Sequence, residues 1–178
     1  MKAVETDRLI LRTWRQEDAE VFAKINQNEK VIKYLAGPMS VKDCENFIIK
    51  ANAHFEKNGF GLWAATIKET GELIGFVGLS IPDFESDFTP CVEIGWRLAS
   101  NHWGKGYATQ AAKEVLKIGF EKFNLKEIVS FTTLENSRSM AVMERIGMKR
   151  DVNGDFNHPK LNPDHPIVKH ALYRIKNL

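Results

Sequence analysis

The chain has 178 residues with 43% hydrophobic and 10% aromatic content, which fits one globular domain with its own core. A formal net charge of +2, without a run of five like charges, argues against nucleic acid as a partner. No stretch approaches the roughly 20 apolar residues of a membrane span, and the N-terminus lacks a signal-peptide core. We therefore expect a cytoplasmic protein without membrane association.

The first half of the chain predicts two helices and three strands. Gly37-Pro38 breaks the chain, and Ser40 with Asp43 has the spacing of a capping box at a helix start. The predicted elements are a strand over 8–12, a stretch over 14–18 that leads into a helix through about Asn26, a helix from Ser40 to about Lys57, and strands over 60–68 and 73–80. The last two strands form a hairpin around E-T-G-E, and a polar loop over 81–90 follows.

The stretch from Val92 to Leu98 alternates apolar and polar side chains, the pattern of a strand with one apolar face. Gly95 interrupts that pattern, which predicts a bulge or a close approach to the backbone. Gly104-Lys105-Gly106 follows, and then small and apolar residues recur at helical spacing as far as Phe123. Glycines at a helix N-terminus let backbone N–H groups converge on phosphate oxygens, although a tight strand-to-helix turn would explain them too.

Two common phosphate-binding patterns do not match this loop. No Lys-Ser/Thr pair closes a P-loop, and Thr109 replaces the third glycine of the dinucleotide-binding G-x-G-x-x-G. If the loop binds phosphate, it belongs to another class of site.

The rest of the chain predicts a strand over 127–133, a helix over 136–146 that ends at Gly147, and strands over 149–153 and 168–175. The spacing of His158, His165 and His170 does not impose the converging geometry of a metal site. These histidines are expected at the edge of an active site, as a base or substrate contact, or else on the surface. Cys44 and Cys91 also lack metal-ligand spacing, so buried free thiols are expected and no metal is predicted.

Two stretches resemble the GNAT superfamily of N-acetyltransferases. E-I-G-W-R-L followed by N-H-W-G-K-G-Y-A-T-Q-A resembles its acyl-CoA binding motif, in which Gly104 and Gly106 match the two glycines. T-D-R-L-I-L-R-x-W-x-x-E-D-A resembles the opening of the branch that includes the ribosomal-protein N-terminal acetyltransferases. Asn101 departs from the Gln/Arg that begins the family's loop, which leaves the backbone donors of the loop unaffected.

The resemblance covers nearly the whole chain and implies an α/β (α+β) protein of the GNAT fold. That fold has a mixed, mostly antiparallel central sheet of about seven strands with helices on both faces, here as one domain over residues 1–178. In the family, the strand that matches residues 92–98 splays from the next strand, and the pantetheine arm of the cofactor fills the gap. A bulge near Gly95 would direct a backbone N–H at the acetyl oxygen.

The resemblance also implies acetyl-CoA as the co-substrate. The residues expected to bind it are Trp96, Arg97, Leu98, Trp103, Gly104, Lys105, Gly106, Tyr107, Ala108, Thr109 and Asn136. Asn136 is also a natural helix N-cap, which explains that residue without a cofactor contact.

Ser139 and Glu93 are the expected catalytic residues. Ser139 matches the serine of the family's N-x-x-S pattern and is expected to donate a proton to the departing thiolate, unless it is an ordinary first-turn serine. Glu93 points away from the apolar face of its strand and is expected to deprotonate the amine. An ion pair of Glu93 with Arg97 or with a neighbouring strand is the favoured alternative.

The implied function is acetyl-CoA-dependent N-acetyl transfer to a primary amine by direct attack on the thioester. An α-amine, with a pKa near 7.7 to 8.0, gives up its proton more easily at pH 7 than a lysine near 10.4. Because no unmistakable strong base occurs in the sequence, a peptide N-terminal α-amine or a small-molecule amine is the expected acceptor. We expect a monomer or homodimer. A non-catalytic acyl-CoA-binding regulatory module and a protein that binds another nucleotide on G-K-G stay open as alternatives.

Overall fold

A computed structural model describes residues 3–177, and a single large sheet forms its centre. The strands are β1 (Val4–Glu5), β2 (Leu9–Arg12), β3 (Leu62–Ile67), β4 (Leu73–Ser80), β5 (Glu93–Leu98), β6 (Glu127–Thr133), β7 (Lys149–Asn157) and β8 (Lys169–Lys176). The helices are α1 (Asp18–Asn26), α2 (Glu29–Ile32), α3 (Val41–Asn58), α4 (Tyr107–Glu121) and α5 (Ser137–Arg145), and a 3₁₀ turn over Ser100–His102 precedes α4.

The strands pair in the order β1-β2-β3-β4-β5-β6-β8-β7. Every pair is antiparallel except β5 with β6, so the predicted mixed, mostly antiparallel sheet is confirmed. The sheet has eight strands rather than about seven, because Val4–Glu5 pairs with β2. A two-residue strand is too short to show an alternating pattern, which is why the sequence did not indicate it.

Helices cover both faces of the sheet, as predicted. On one face, α4 and α5 pack through buried residues such as Val115 and Met143. On the other face, α1 and α3 pack through residues such as Phe22. Consecutive strand residues divide between the two cores, with Ala65 in the first and Ala64 in the second, as the pleat of a strand requires. None of the helices between residues 3 and 177 is long and apolar enough to cross a membrane.

Local hydrogen bonds fix the helix starts. The predicted capping box at α3 is present: the Asp43 N–H donates to Ser40 Oγ at 3.1 Å, and the Ser40 N–H donates to Asp43 Oδ2 at 2.9 Å. The helix α5 begins after Asn136, whose side chain accepts a bond from the Ser139 N–H. The single turn α2 escaped prediction because four residues cannot display a helical period.

The strand β7 is longer than predicted and carries an irregularity in its middle. Its pairing with β8 is interrupted between Asp151 and Phe156, where Val152 is 74% exposed. The alternating pattern is lost there, so the sequence predicts a strand that ends at residue 153. Beyond the interruption the pairing resumes and places Phe156 opposite His170.

The bulge predicted at Gly95 is wrong. Six residue pairs join β4 and β5 in continuous register, with Gly95 opposite Gly78. The irregularity falls instead in the pairing of β3 with β4, after Ala65. Gly95 provides space rather than a bend, since a Cβ built on it would have only Glu93 Oε1 within 4 Å, at 3.8 Å.

Candidate active site

The strands β5 and β6 separate as soon as they meet. Their only ladder pair among the described residues is Glu93 with Val129, where the Val129 N–H donates to the Val92 carbonyl at 2.9 Å. Ser130 Oγ then donates to the Ile94 carbonyl at 2.8 Å in place of a backbone bond. The splay that the resemblance implies is therefore present, and it opens a gap beside the second half of β5.

Trp96 directs a backbone donor into this gap. In an antiparallel pair, successive residues turn their backbone groups alternately toward and away from the partner strand. The Ala99 N–H donates to the Ile74 carbonyl of β4 at 2.8 Å, so the odd-numbered residues of β5 face β4. The N–H of Trp96 thus faces the side from which β6 has turned away. A backbone donor near Gly95 therefore faces the gap without the bulge that was expected to direct it.

A groove of about 180 Å³ follows the gap. This cavity is referred to below as the groove. Its walls come from α2, β5 and the starts of α4 and α5. Its lining comprises Lys30, Val31, Tyr34, Leu35, Trp96, Arg97, Leu98, Trp103, Ala108, Asn136, Arg138, Ser139 and Val142. Six predicted cofactor-binding residues therefore share one lining. The other five, Gly104 to Tyr107 and Thr109, flank Ala108 at the start of α4.

The glycine loop has the backbone conformation that its sequence predicts. Gly104 and Gly106 have φ values of +77° and +79°, a region that side chains with a Cβ rarely adopt, and Gly106 caps α4. Arg8 braces the loop, because its Nη1 donates to the Lys105 carbonyl at 2.9 Å and its guanidinium lies 4.6 Å from the centre of the Tyr107 ring. The loop and the first turn of α4 can therefore present N–H groups to an anion.

Asn136 and Ser139 stand at the inner end of the groove. The Asn136 side chain caps α5 through the Ser139 N–H at 3.2 Å and donates to Thr132 Oγ1 at 3.0 Å, which confirms the N-cap prediction. Ser139 is half-buried in the first turn of α5. The structure leaves its hydroxyl beside the gap, on the helix end whose dipole is positive.

A second cavity of about 480 Å³ lies on the α1 and α3 side of the gap. This cavity, referred to below as the chamber, has Glu93, Gly95 and Ser130 in its lining together with aromatic residues from both sides of the gap. The groove and the chamber share Tyr34, Leu35, Trp96, Arg97, Asn136 and Ser139. The two spaces therefore meet beside the Trp96 N–H and the Ser139 hydroxyl.

Glu93 lies in the chamber without an ion-pair partner. No cation lies within 4 Å of its carboxylate among residues 3–177, so the favoured interpretation of an ion pair with Arg97 or with a neighbouring strand is wrong. Ser80 Oγ donates to the carboxylate at 3.4 Å instead. Its Oε1 lies over Gly95, one residue from Trp96. Burial in surroundings of low polarity raises the pKa of Glu93 to about 8. A carboxyl in this setting can accept a proton from a group held over Gly95.

Arg97 is turned toward α1 rather than toward the glycine loop. Its Nη1 donates to Asn26 Oδ1 and contacts Met39 Sδ, and the guanidinium lies 5.6 Å from the centre of the Phe76 ring. Burial lowers the pKa of Arg97 to about 10, so it stays charged at neutral pH. Arg97 lines both cavities and supplies a positive charge at their junction.

The structure separates the three histidines of the tail. His158 and His170 line the chamber with their ring centres 5.1 Å apart, whereas His165 is outside that lining. His170 is 8% exposed and its Nδ1 lies 2.9 Å from the Val168 carbonyl, which favours the tautomer with the proton on Nδ1 and a lone pair on Nε2. Burial lowers the pKa of both His158 and His170, so both rings are neutral at pH 7.

The structure adds residues that sequence reasoning missed. Arg8, Lys30 and Arg138 border the loop or the groove, and Phe84 and Phe131 line the chamber. Only Arg8 had a signal, since it belongs to the opening stretch that carries the resemblance. Burial raises the pKa of Cys91 to about 11 and also raises that of Cys44, so neither thiol is an activated nucleophile.

Comparison with known proteins agrees with this arrangement. The sequence matches the acetyltransferase (GNAT) domain family over residues 8–149. It is 30% identical to the uncharacterised N-acetyltransferase p20 of Bacillus licheniformis over 156 residues, 85% of this chain and 84% of that protein. It is also 30% identical to the FsC-acetyl coenzyme A-N(2)-transacetylase of Aspergillus fumigatus over 152 residues, 82% of this chain and 64% of that protein.

A solved structure with the same fold is a ribosomal-protein-S5-alanine acetyltransferase from Vibrio fischeri. The TM-score is 0.79, and the match covers 99% of this chain and 97% of that one. Because the two sequences are only 17% identical, this likeness concerns the fold.

Proposed function

Because the chain belongs to the GNAT acetyltransferase family, we propose that it moves the acetyl group of acetyl-CoA to a primary amine by direct attack of the amine on the thioester. The observation that carries this proposal is the meeting of the groove and the chamber at Trp96, Arg97, Asn136 and Ser139. Two spaces that join at one backbone donor and one hydroxyl can hold two substrates with their reacting ends together. In this proposal residues 1–178 act as one catalytic domain.

Acetyl-CoA would lie along the groove. Its pyrophosphate would accept bonds from the loop over 104–106 and the first turn of α4, where the helix dipole favours negative charge. The pantetheine arm would fill the gap between β5 and β6 and take the place of the missing strand pairs. Trp103 and Leu98 would bury its apolar parts, since both line the groove.

The acetyl carbonyl would lie at the Trp96 N–H. As the amine nitrogen attacks the carbonyl carbon, negative charge develops on the oxygen, and a fixed backbone donor stabilises it. The C–S bond then breaks, and Ser139 gives its proton to the leaving sulfur, which forms the thiol of CoA. Glu93 takes a proton from the nitrogen, which leaves an amide. Solvent then removes that proton from the Glu93 carboxyl and returns one to the Ser139 oxygen, so both side chains regain their starting state.

Gly95 supports the role of Glu93 as the base. Since Gly95 has no side chain, the space over it is bounded by Glu93 Oε1 on one side and leads to Trp96 on the other. An amine in that space would contact the carboxylate and face the acetyl carbon. His170 is the rival base, because it also lines the chamber and its favoured tautomer leaves a lone pair on Nε2. The two candidates predict different pH dependences of the reaction.

The acceptor in this proposal is a peptide N-terminal α-amine or a small-molecule amine. A nucleophile must be neutral to attack, and an α-amine loses its proton about one pH unit above neutrality, whereas a lysine needs about 3.4 units. Deprotonation of a lysine at neutral pH costs several kcal/mol. Among the described residues of the chamber, only Glu93 and His170 are placed to accept that proton.

Two measurements test the proposal. Release of free thiol from acetyl-CoA in the presence of a pool of amines should exceed the release without amines, and mass spectrometry should find the acetyl group on an amine. In parallel, acetyl-CoA and CoA should raise the melting temperature, whereas ATP and NAD should not. Stabilisation by acetyl-CoA without amine-dependent thiol release would instead indicate a non-catalytic acyl-CoA-binding module.

A further inference from the structure

The chamber is walled by aromatic rings on two sides. One wall consists of Phe84, Phe131, His158 and His170, in which neighbouring ring centres lie 4.9 to 6.2 Å apart. The opposite wall contains Phe47 and Phe76, whose centres are 5.6 Å apart. Aromatic pairs at such distances prefer tilted or edge-on contacts, and a further ring can join them in the same way.

A second layer of rings holds the first wall in place. Phe156 packs behind it at 5.4 Å from Phe131 and 5.7 Å from His170, and Phe88 lies 4.8 Å from Phe156. Neither Phe88 nor Phe156 lines the chamber. Because the wall is packed from behind, its rings are set before a ligand enters, which reduces the cost of binding.

The charges in the chamber are few and placed at its ends. Asp83 and Lys160 form an ion pair that joins the loop after β4 to the loop after β7, and these loops carry Phe84 and His158. Glu93 and Arg97 lie at the other end, toward the groove. His158 and His170 add no charge at pH 7, since burial lowers the pKa of both. The aromatic wall of Phe84, Phe131, His158 and His170 therefore carries no charge at pH 7.

The volume also limits the ligand. About 480 Å³ lies within the range of roughly 300–1,000 Å³ that is usual for small-molecule sites. A compact molecule fits within this volume, whereas a peptide would extend beyond it.

We infer that the acceptor is a small primary amine joined by a short alkyl chain to an aromatic ring. This inference rests on the proposed acetyl transfer. The ring packs between the wall of Phe84 and Phe131 and the wall of Phe47 and Phe76. The amine reaches the space over Gly95, where Glu93 Oε1 and the Trp96 N–H lie on either side. The reaction converts this amine and acetyl-CoA into the N-acetyl amide and CoA.

The test compares amines that differ in the group that enters the chamber. Because alkylamines are more fully protonated at the assay pH than a peptide α-amine, each kcat/KM is calculated for the neutral fraction of the amine. The probes are 2-phenylethylamine, 2-cyclohexylethylamine, n-propylamine and a serine-initiated peptide with a free N-terminus, each assayed by thiol release from acetyl-CoA. We expect kcat/KM for 2-phenylethylamine to exceed that for n-propylamine and for the peptide at least tenfold. We expect it to exceed that for 2-cyclohexylethylamine about threefold, because ring contacts add to apolar burial.

Variants link this preference to the wall. Phe131→Leu and Phe84→Leu should each lower kcat/KM for 2-phenylethylamine about fivefold or more and leave that for n-propylamine within twofold. Phe123→Leu is the matched control, because Phe123 packs on Phe60 at 5.2 Å and lines neither cavity. It should not change the ratio between the two amines.

Calorimetric titration of 2-phenylethylamine into the protein saturated with CoA separates this inference from the proposed function. Turnover of all amines at similar kcat/KM, or a preference for the peptide, would overturn the inference and leave acetyl transfer standing. Binding of 2-phenylethylamine that Phe131→Leu weakens, without turnover of any amine, would support the aromatic-amine site and overturn acetyl transfer. Neither binding nor turnover would overturn both.

Discussion

Replacement of Glu93 by Gln tests which group removes the proton from the amine. Gln keeps the size of the side chain and can still accept the bond from Ser80 Oγ, but it cannot act as a base at neutral pH. General-base catalysis contributes about 10²- to 10⁴-fold, so we expect kcat/KM for a primary amine to fall roughly 100-fold or more at pH 9. Glu56→Gln on the exposed side of α3 is the matched control and should leave kcat/KM unchanged.

The pH dependence of this loss follows from the pKa of Glu93, which burial raises to about 8. A carboxyl with that pKa is about one-tenth ionised at pH 7 and about nine-tenths ionised at pH 9. The ratio of wild-type kcat/KM to that of Glu93→Gln should therefore rise about tenfold between these values and then level off. Ionisation of the amine itself affects both proteins equally and cancels in the ratio.

His170 predicts a different profile. Burial lowers its pKa below the ordinary 6.5, so its neutral form already dominates at pH 7. If His170 were the base, the ratio of wild type to His170→Gln would be large and flat between pH 7 and 9. That result, together with a small ratio of wild-type kcat/KM to that of Glu93→Gln that does not change with pH, would refute the assignment of Glu93 as the base.

Folding stability offers an independent check of the same pKa. The carboxyl of Glu93 has an ordinary pKa of 4.5, and the folded state raises it. A raised pKa means that the stability contributed by Glu93 is fully present below pH 4.5 and is lost as the pH rises to about 8. Relative to Glu93→Gln, the free energy of unfolding of the wild type should thus fall by a few kcal/mol, on the order of 4, across this interval. A constant difference would show that the pKa is not raised.

Three further predictions concern the cofactor, the leaving group and the acceptor. Gly106→Val should abolish the thermal stabilisation by acetyl-CoA, because a β-branched residue cannot hold φ +79° without distorting the loop. Gly71→Val, at φ +71° in an open turn, is the control for backbone strain alone and should retain the stabilisation by acetyl-CoA. Retained affinity in Gly106→Val would contradict the placement of the pyrophosphate. Ser139→Ala should lower kcat more than it raises the KM for acetyl-CoA. Ser137→Ala, a change at an exposed residue in the same helical turn, should alter neither constant. Equal kcat values for the wild type and Ser139→Ala would assign Ser139 a structural role. Among peptides, those with a free N-terminus should be acetylated faster than the same peptides with a blocked N-terminus and an internal lysine, because the α-amine has the lower pKa. Acetyl groups found mainly on lysine by mass spectrometry would reverse this assignment.

The cofactor side of the site could be predicted from the sequence because its signals are local. Gly104, Gly106 and the small residues of α4 lie in one continuous stretch, and the backbone conformation that they require follows from glycine itself. Alternation likewise located β5 and the faces on which Glu93 and Trp96 lie. The same reasoning wrongly predicted a bulge near Gly95, since a strand glycine indicates a bulge more often than it indicates empty space.

The acceptor side could not be predicted because it is assembled from distant segments. Phe84, Phe131 and His170 come from a loop and two strands, and nothing in their local sequence marks them as neighbours. The pairing of β8 with β6 brings Phe131 and His170 together, and the loop after β4 places Phe84 against Phe131 at 5.8 Å. The ion pair assumed for Glu93 failed for the same reason, since Arg97 is drawn to Asn26 on α1, 71 positions earlier in the chain.

The most direct measurement of the central claim is a crystal structure of this protein with CoA and the amine that it acetylates best. Our account predicts the pyrophosphate at residues 104–106, the pantetheine arm between β5 and β6, and the thiol sulfur within hydrogen-bond reach of Ser139 Oγ. The amine nitrogen should lie over Gly95, beside Glu93. CoA bound outside the gap, or an amine bound away from the junction of the groove and the chamber, would contradict the account.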